Sequence, residues 1–287
     1  MFLCNYPDQA RVDTNLNVLL HTRSNACRLE SHQTSLAVFT VIRGIELHEV
    51  GPARFAVTPQ RYLILNDATQ HAQSITDNTE MISLRFRTGL GMDVYTAYAT
   101  PLSKQLEQPD FRLAPLEFYQ RTYPQDPRLS QLLGFLRAFI WVGVGQDALE
   151  QAIQPILERL LLLHRNLEPE IERLSAAKRS TREELFRRLH VARDFIEACF
   201  LENLDLKKIA DIINLSPHHF LRLFKEVFAT TPYQMVITKK LEKAKVMLLS
   251  GHSSVTDVCF DMGFESLGSF SRDFKRRYGV SPSQIKT

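Results

Sequence analysis

Two groups of donor side chains near the carboxy terminus have the chemistry of a surface for a polyanion. His218, His219, Arg222 and Lys225 form the first, and Ser269, Ser271, Arg272, Lys275 and Arg276 the second. Spacings of three and four residues place each group along one side of a helix, and donors of these types suit the phosphate oxygens and base edges of a duplex. A second candidate chemistry lies nearer the amino terminus, where Arg43, Tyr62, His71 and Arg85 could orient a small ligand. Alternation around Ile82, Leu84 and Phe86 is equally compatible with Arg85 facing outward. His71 has no neighbouring ligands in sequence, and His32 and His48 stand apart without a His-x-His pair, so no metal site and no cofactor are expected.

The elements that position the carboxy-terminal donors come from a repeat. A segment of about thirty residues occurs twice, roughly fifty residues apart. In the first copy Leu206, Ile209, Ala210 and Ile213 make one apolar face of a short helix, and Asn214 tolerates a left-handed turn that ends it. Ser216 follows as a cap with Pro217 at the first helical position, and Phe220, Phe224, Val227 and Phe228 form the buried stripe of a second helix. The second copy places Val255, Val258, Cys259 and Met262 on the first stripe, Gly263 at the turn, Ser266 at the cap, and Phe270, Phe274 and Tyr278 on the second stripe. The offset is 49 residues before the turn and 50 after it, so the second turn holds one extra residue. Between the copies Ile237, Leu241, Ala244 and Leu248 predict a connecting helix from about Pro232 to Leu249, roughly 27 Å long. Such a spacer could hold two helices near the roughly 34 Å separation of successive major-groove faces. Lys239, Lys240 and Lys243 on its polar side are candidate phosphate contacts, although a solvated helix face accounts for them equally well.

Two short helices at a tight turn outline a helix-turn-helix, and any small helical hairpin shares that outline. From Leu189 to Ser283 the chain resembles the AraC/XylS transcriptional regulators. The resemblance rests on Ile209-Ala210, on the run from Ser216 to Lys225, and on Gly263-Phe264-Glu265-Ser266, Phe270 to Lys275 and Gly279-Val280-Ser281-Pro282. It implies that base reading falls to His218, Leu221, Arg222, Gly268, Ser269 and Arg272. Leu221 and Gly268 depart from the polar residues common at such places, which implies weak or shape-based reading there. Phosphate contacts are expected from Ser216, Lys225, Lys239, Lys240, Ser271, Lys275 and Arg276. The resemblance also implies double-stranded DNA and RNA polymerase as partners and a cupin-like effector-binding domain ahead of the DNA-binding one, with a possible small-molecule effector.

Short apolar runs at Leu36 to Val41, Ile45 to Val50, Arg54 to Thr58, Tyr62 to Leu65 and Met81 to Phe86 are separated by turn residues. They predict a small antiparallel barrel or double-sheet jelly roll. Two helical stripes follow, one at Leu129, Leu132, Leu133, Leu136 and Ile140, and a denser one at Leu149, Ile153, Ile156, Leu157, Leu160, Leu161 and Leu163. Packing on the barrel explains them; a homodimer seam through Ile153, Leu157, Leu160 and Leu161 is the sharper expectation. Glu168 to Lys178 reads as a charged linker ending near a cap at Thr181.

The expected fold is α+β: a cupin-like antiparallel β-barrel with following helices, then an all-α domain with two helix-turn-helix motifs joined by a connecting helix. The expected limits are 1–125, 126–177 and 178–287. A chain of 287 residues fits two domains, and 44% hydrophobic with 23% charged residues excludes collagen-like and largely disordered classes. From Lys178 onward there are 19 Lys and Arg against 13 Asp and Glu, while the rest has 16 against 19, so the basic character sits with the repeat. The stretch Leu132 to Gly145 is too short to span a bilayer and contains Arg137, and the amino terminus has no export-signal pattern. Cys4, Cys27, Cys199 and Cys259 lack ligand-like spacing, which fits reduced thiols in a cytoplasmic protein, with Cys199 and Cys259 buried. These features point to a binding protein, not an enzyme. The competing classes are a metal-cupin enzyme fused to a DNA-binding module and an architectural DNA-binding protein without effector.

Overall fold

Period-two burial builds the amino-terminal part, as strands with one face on a core require. The computed structural model describes residues 15–108, 117–142, 146–251 and 253–285; Cys4 and the end of the apolar stretch, 143–145, lie outside them. The strands are β1 (Val18–Ser24), β2 (Cys27–Thr34), β3 (Ala37–Arg43), β4 (Glu46–Val50), β5 (Ala53–Val57), β6 (Arg61–Leu65), β7 (Thr69–Ile75), β8 (Thr79–Arg85) and β9 (Thr122–Pro124). They form an antiparallel five-stranded sheet, β1-β8-β3-β6-β9, and an antiparallel four-stranded sheet, β2-β7-β4-β5. Ala37, Phe39, Val41, Leu63, Leu65 and Met81 of the first meet Leu29, Ala53, Phe55, Val57 and Ile75 of the second in one core. Among the described residues the sheets share no ladder, so the architecture is the open double sheet and not a closed barrel. The strands β1, β2, β7 and β9 were not among the runs expected; inward positions of β2 and β7 carry His32, His71 and Gln73, which break the apolar alternation.

The other face of the five-stranded sheet is also covered. Tyr62 on that face stacks on Tyr123, with ring centroids 5.3 Å apart. The helices of this part are α1 (Leu90–Ala99), α2 (Leu102–Glu107), α3 (Pro127–Val142), α4 (Gln146–Arg165), α5 (Glu168–Glu172) and the first part of α6 (Arg179–Cys199). Helix α4 packs on α3 and α1, and is pinned by Arg159 to Asp126 at 2.6 Å and by Asn17 to Glu150 at 2.7 Å. Its stripe is consumed by this packing: Ile153, Leu157, Leu160 and Leu161 are all buried within one chain. The expected homodimer seam through these residues is therefore corrected. A second copy could reach them only by unpacking α4, because a side chain already out of water gains nothing more by docking.

The chain divides into compact units at Asp194 and Phe195, inside α6, later than the expected start at 178. The reason is a buried network on β9. The Asp194 carboxylate accepts from the Thr122 backbone N–H and hydroxyl, both at 2.7 Å, and Arg193 donates to the Thr122 carbonyl and to Asp194. Arg121 lies 3.0 Å from Nε2 of His190 and over the Tyr123 ring, and burial lowers its pKa to about 10. Thr181 lies inside α6 and not at its cap, since the helix begins at Arg179. The second unit holds α7 (Leu206–Ile212), α8 (Pro217–Phe228), α9 (Pro232–Leu249), α10 (Val255–Asp261) and α11 (Leu267–Tyr278). Cys199 and Cys259 are buried and free, and Cys27 is free and half-buried. Among the described residues no helix is long and apolar enough to cross a membrane.

Two stability outcomes are expected. His164 at the end of α4 is stacked on Tyr119, and burial lowers its pKa to about 4, partly opposed by Glu183. The unfolded chain takes up this proton near pH 6.5 and the folded chain near 4, so its contribution is complete above 6.5 and falls as pH drops toward 4, at about 1.4 kcal/mol per unit. Thermal unfolding from pH 7 to 4.5 should be less pH-dependent in His164→Phe. Ala229 caps α8 in the left-handed region at φ 54, where Gly279 caps α11 at φ 78. Ala229→Gly should stabilise by about 1 kcal/mol, read as a shift in denaturant midpoint.

Candidate nucleic-acid interface

Helices of seven residues cannot stand alone in water, and α7 and α10 are both that short. Each is held by its partner through a turn of the same geometry. Leu215 N–H donates to the Ala210 carbonyl and Asn214 N–H to that of Asp211; Phe264 N–H donates to Cys259 and Gly263 N–H to Phe260. Asn214 and Gly263 take the left-handed conformation that this closure requires, at φ 51 and 68. A Cβ at Gly263 would come within 3.2 Å of Nζ of Lys240, so glycine also leaves room for that ammonium. The Ser216 and Ser266 hydroxyls then accept the His219 and Ser269 backbone N–H groups and start α8 and α11. Phe220 and Phe224 in one motif, and Phe270 and Phe274 in the other, are fully buried as edge-to-face or tilted neighbours. The connecting helix α9 begins in a Thr231–Gln234 capping box and covers Pro232 to Leu249, as its sequence predicts.

This packing leaves the donor faces outward. The Arg222 side chain is 53% exposed and that of Arg272 74% exposed; His218, Lys225, Gly268, Lys275 and Arg276 are exposed, while Ser269 and Ser271 are half-buried. Leu221 from α8 and Ser269 and Arg272 from α11 line one groove of about 860 Å³, whose wall includes Tyr233, Ile237 and Lys240 of α9. The two recognition helices thus open on a shared concavity. Tyr233, exposed on α9, was not singled out by sequence; its only signal was its place one residue after Pro232, on the polar side of a helix.

Local partners differ along the surface. Arg222 lies 3.4 Å from Glu226, and Arg276 lies 3.1 Å from Asp273, with Arg272 4.0 Å away. Exposed pairs of this kind are weak and exchange readily for phosphate. The last turn of α11 has Lys275, Arg276 and Arg277, whereas that of α8 has Lys225 alone, so the second motif is the more cationic. Lys239 is engaged with Glu197 and Glu242 at 3.6 and 3.5 Å. Burial lowers the pKa of Lys240, an ammonium for which an anion would be a natural partner. Ser269 turns its hydroxyl back onto the Ser266 carbonyl at 2.9 Å.

The four candidate effector residues do not form one site. Arg43 is exposed at the end of β3, and Tyr62 lies on the helix-covered face of its sheet. His71 and Arg85 are both buried and both face the space between the sheets: Arg85 pairs in register with Ala37 of the core, and its charge acts on His71. His71 does have partners, contrary to expectation. Its ring lies 4.4 Å from that of His32 and 5.3 Å from that of His48, and Phe39 packs edge-on to it. Burial, then His48 and His32, hold His71 neutral, with a pKa of about 2. A bulge explains the surprise. Pairing of β2 with β7 slips by one residue between Leu29 and His32, which turns His32 to the inward face opposite His71.

Two helix-turn-helix motifs on one connecting helix, with cationic faces on a common groove, define a bipartite DNA-binding domain. Comparison with known proteins agrees. Residues 209–287 match the family described as a helix-turn-helix domain, the same stretch that carries the resemblance to the AraC/XylS regulators. The chain is 26% identical over 174 residues to a probable transcriptional regulator, LumQ, of Photobacterium leiognathi, covering 59% of this chain and 64% of that one. It is 32% identical over 88 residues to the uncharacterized helix-turn-helix regulator YobQ of Bacillus subtilis, covering 31% and 36%, and 29% identical over 92 residues to the virulence regulon activator VirF of Yersinia enterocolitica, covering 32% and 34%. The matches therefore span less than two thirds of these relatives. Among solved structures, a probable AraC family regulator from Rhodopseudomonas palustris is matched at 23% identity and TM-score 0.34, over 34% of this chain and 94% of that one. ToxT of Vibrio cholerae is matched at 10% identity and TM-score 0.36, over 93% and 96%.

Arg222→Ala and Arg272→Ala should each weaken binding to a specific duplex by about 1 to 3 kcal/mol at fixed salt. Both side chains are exposed, so circular dichroism should be unchanged; equal affinity in a titration would contradict the assignment.

Proposed function

We propose that the chain is a sequence-specific transcriptional regulator that binds double-stranded DNA through α8 and α11 in successive major-groove windows. The observation that carries this reading is the shared groove between the two motifs, reached by Leu221 from one and by Ser269 and Arg272 from the other. Arg222 and Arg272 read base edges, with His218, Leu221, Gly268 and Ser269 beside them. Ser216, Lys225, Ser271, Lys275 and Arg276 contact phosphates, joined by Lys240 from the groove wall. Lys239 joins them only by leaving Glu197 and Glu242. The work is binding and not catalysis, in a cytoplasmic setting.

The reading extends to a small-molecule effector held by the double-sheet domain, to contact with RNA polymerase, and to pairing of two copies, each carried over from the family resemblance. His71 and Arg85 are the effector residues that remain, and pairing would use a surface other than the buried stripe of α4. An effector acts only if it binds two conformations unequally.

Selection from a random duplex pool, with and without cell metabolites, tests the reading. A defined sequence should be enriched, and its affinity should fall steeply as salt rises. Neutralising Lys275 and Arg276 should flatten the salt slope by about 2, against about 1 for Lys225. Recovery of no preferred sequence would remove the claim of specificity, and a metabolite-independent result would remove the effector.

A further inference from the structure

Tyr233 stands between two grooves of the second unit. It lies in the first turn of α9 and is 72% exposed. With Ile237 and Asp273 it lines both the groove between the two motifs and a second groove of about 360 Å³. Arg272 lines the first of these, and Arg276 and Arg277 line the second. A single exposed ring needs no explanation by itself. A ring with guanidinium groups on either side has the composition of a seat for a sugar–phosphate strand, because an apolar face suits deoxyribose and planar N–H donors suit phosphate oxygens.

The repeat shows that helix packing does not require these residues. At the offset of 50, Glu226 and Val227 of the first motif stand where the second has Arg276 and Arg277, and Ser283 stands where the exit of the first has Tyr233. Both motifs close with the same turn bonds whichever residues occupy these places. Nor are the cations exhausted by their neighbours. Arg276 lies 3.1 Å from Asp273 and Arg277 lies 3.4 Å from Glu242, and both arginines are exposed. A guanidinium has five N–H donors, so one carboxylate aims it and leaves others for a phosphate. Thr238 adds a hydroxyl to the wall of the second groove.

We propose that Tyr233, Thr238, Arg276 and Arg277 seat one sugar–phosphate strand of a duplex beside the second recognition helix, with the tyrosine ring on a deoxyribose and the guanidinium groups on the phosphates next to it. The inference rests on the DNA-binding reading and adds a contact surface to it, formed by α9 together with the last turn of α11. Its contacts are to backbone alone, so the seat holds DNA of any sequence. The first motif has no equivalent set. The second motif is therefore the anchor of the pair, and discrimination between sequences falls more heavily on the first.

The test is titration of the full chain with two duplexes, one of random sequence and one enriched by selection. Tyr233→Ala should weaken both by the same factor, about 5-fold, with the salt slope unchanged. Arg277→Gln should also weaken both and lower the salt slope by about 1. Tyr233→Phe, which keeps the ring, should bind as the unaltered chain does. Arg222→Ala provides the contrast, with its loss falling mainly on the selected duplex. Unchanged affinity of Tyr233→Ala and Arg277→Gln overturns the seat, as does a loss confined to the selected duplex or a Tyr233→Phe variant as weak as Tyr233→Ala. Failure of the unaltered chain to bind either duplex would instead remove the DNA-binding reading, and the seat with it.

Discussion

One left-handed residue in each motif governs the DNA-facing half of the molecule. Asn214 and Gly263 reverse the chain so that the end of a seven-residue helix can close onto itself and the next helix can start at once. Without that reversal α7 and α10 would have no way to bring their apolar stripes against Phe220, Phe224, Phe270 and Phe274, and neither is long enough to persist unaided. The outward aim of Arg222 and Arg272 follows from the same event. Once the phenylalanines are committed to the interior, the helical period leaves no other direction for the arginines.

The two motifs are copies in geometry and unequal in charge. Their turns match bond for bond, and their recognition arginines stand at equivalent places. Glu226 in the first is Arg276 in the second, so the first sets a carboxylate weakly against its arginine and the second has a cationic helix end. Between them α9 is less of a phosphate-binding element than its lysines suggest, because Lys239 is already engaged by Glu197 and Glu242. Polyanion attraction therefore concentrates at α11 and in the groove wall.

The amino-terminal unit has a different constraint, a polar patch inside an apolar sandwich. Phe39, Phe55 and their neighbours form a conventional core, whereas His32, Glu46, His48 and His71 occupy inward positions that apolar residues would fill at lower cost. Of the three strands that bear this patch, β2 and β7 were hidden from sequence inspection and β4 was not. Polar inward residues erase the alternation by which a strand is recognised, and His32, His71 and Gln73 do so in β2 and β7.

How much was legible varies with the range of the forces involved. Helix caps, left-handed turns, apolar stripes and the outward arginines are local, set by residues within a turn or two of one another, and so the twin motifs, the span of α9 and the burial of Cys199 and Cys259 could be read from residue order alone. Partnerships between distant segments could not. Whether the leucines of α4 face a second copy or α3, whether Tyr62 shares a pocket with His71, and whether α6 begins the second unit or is anchored through Asp194 to Thr122 all depend on long-range packing. The gathering of His32 on His71 depends on a one-residue slip in strand pairing, which flips a side chain from one face to the other and leaves no mark in composition or spacing.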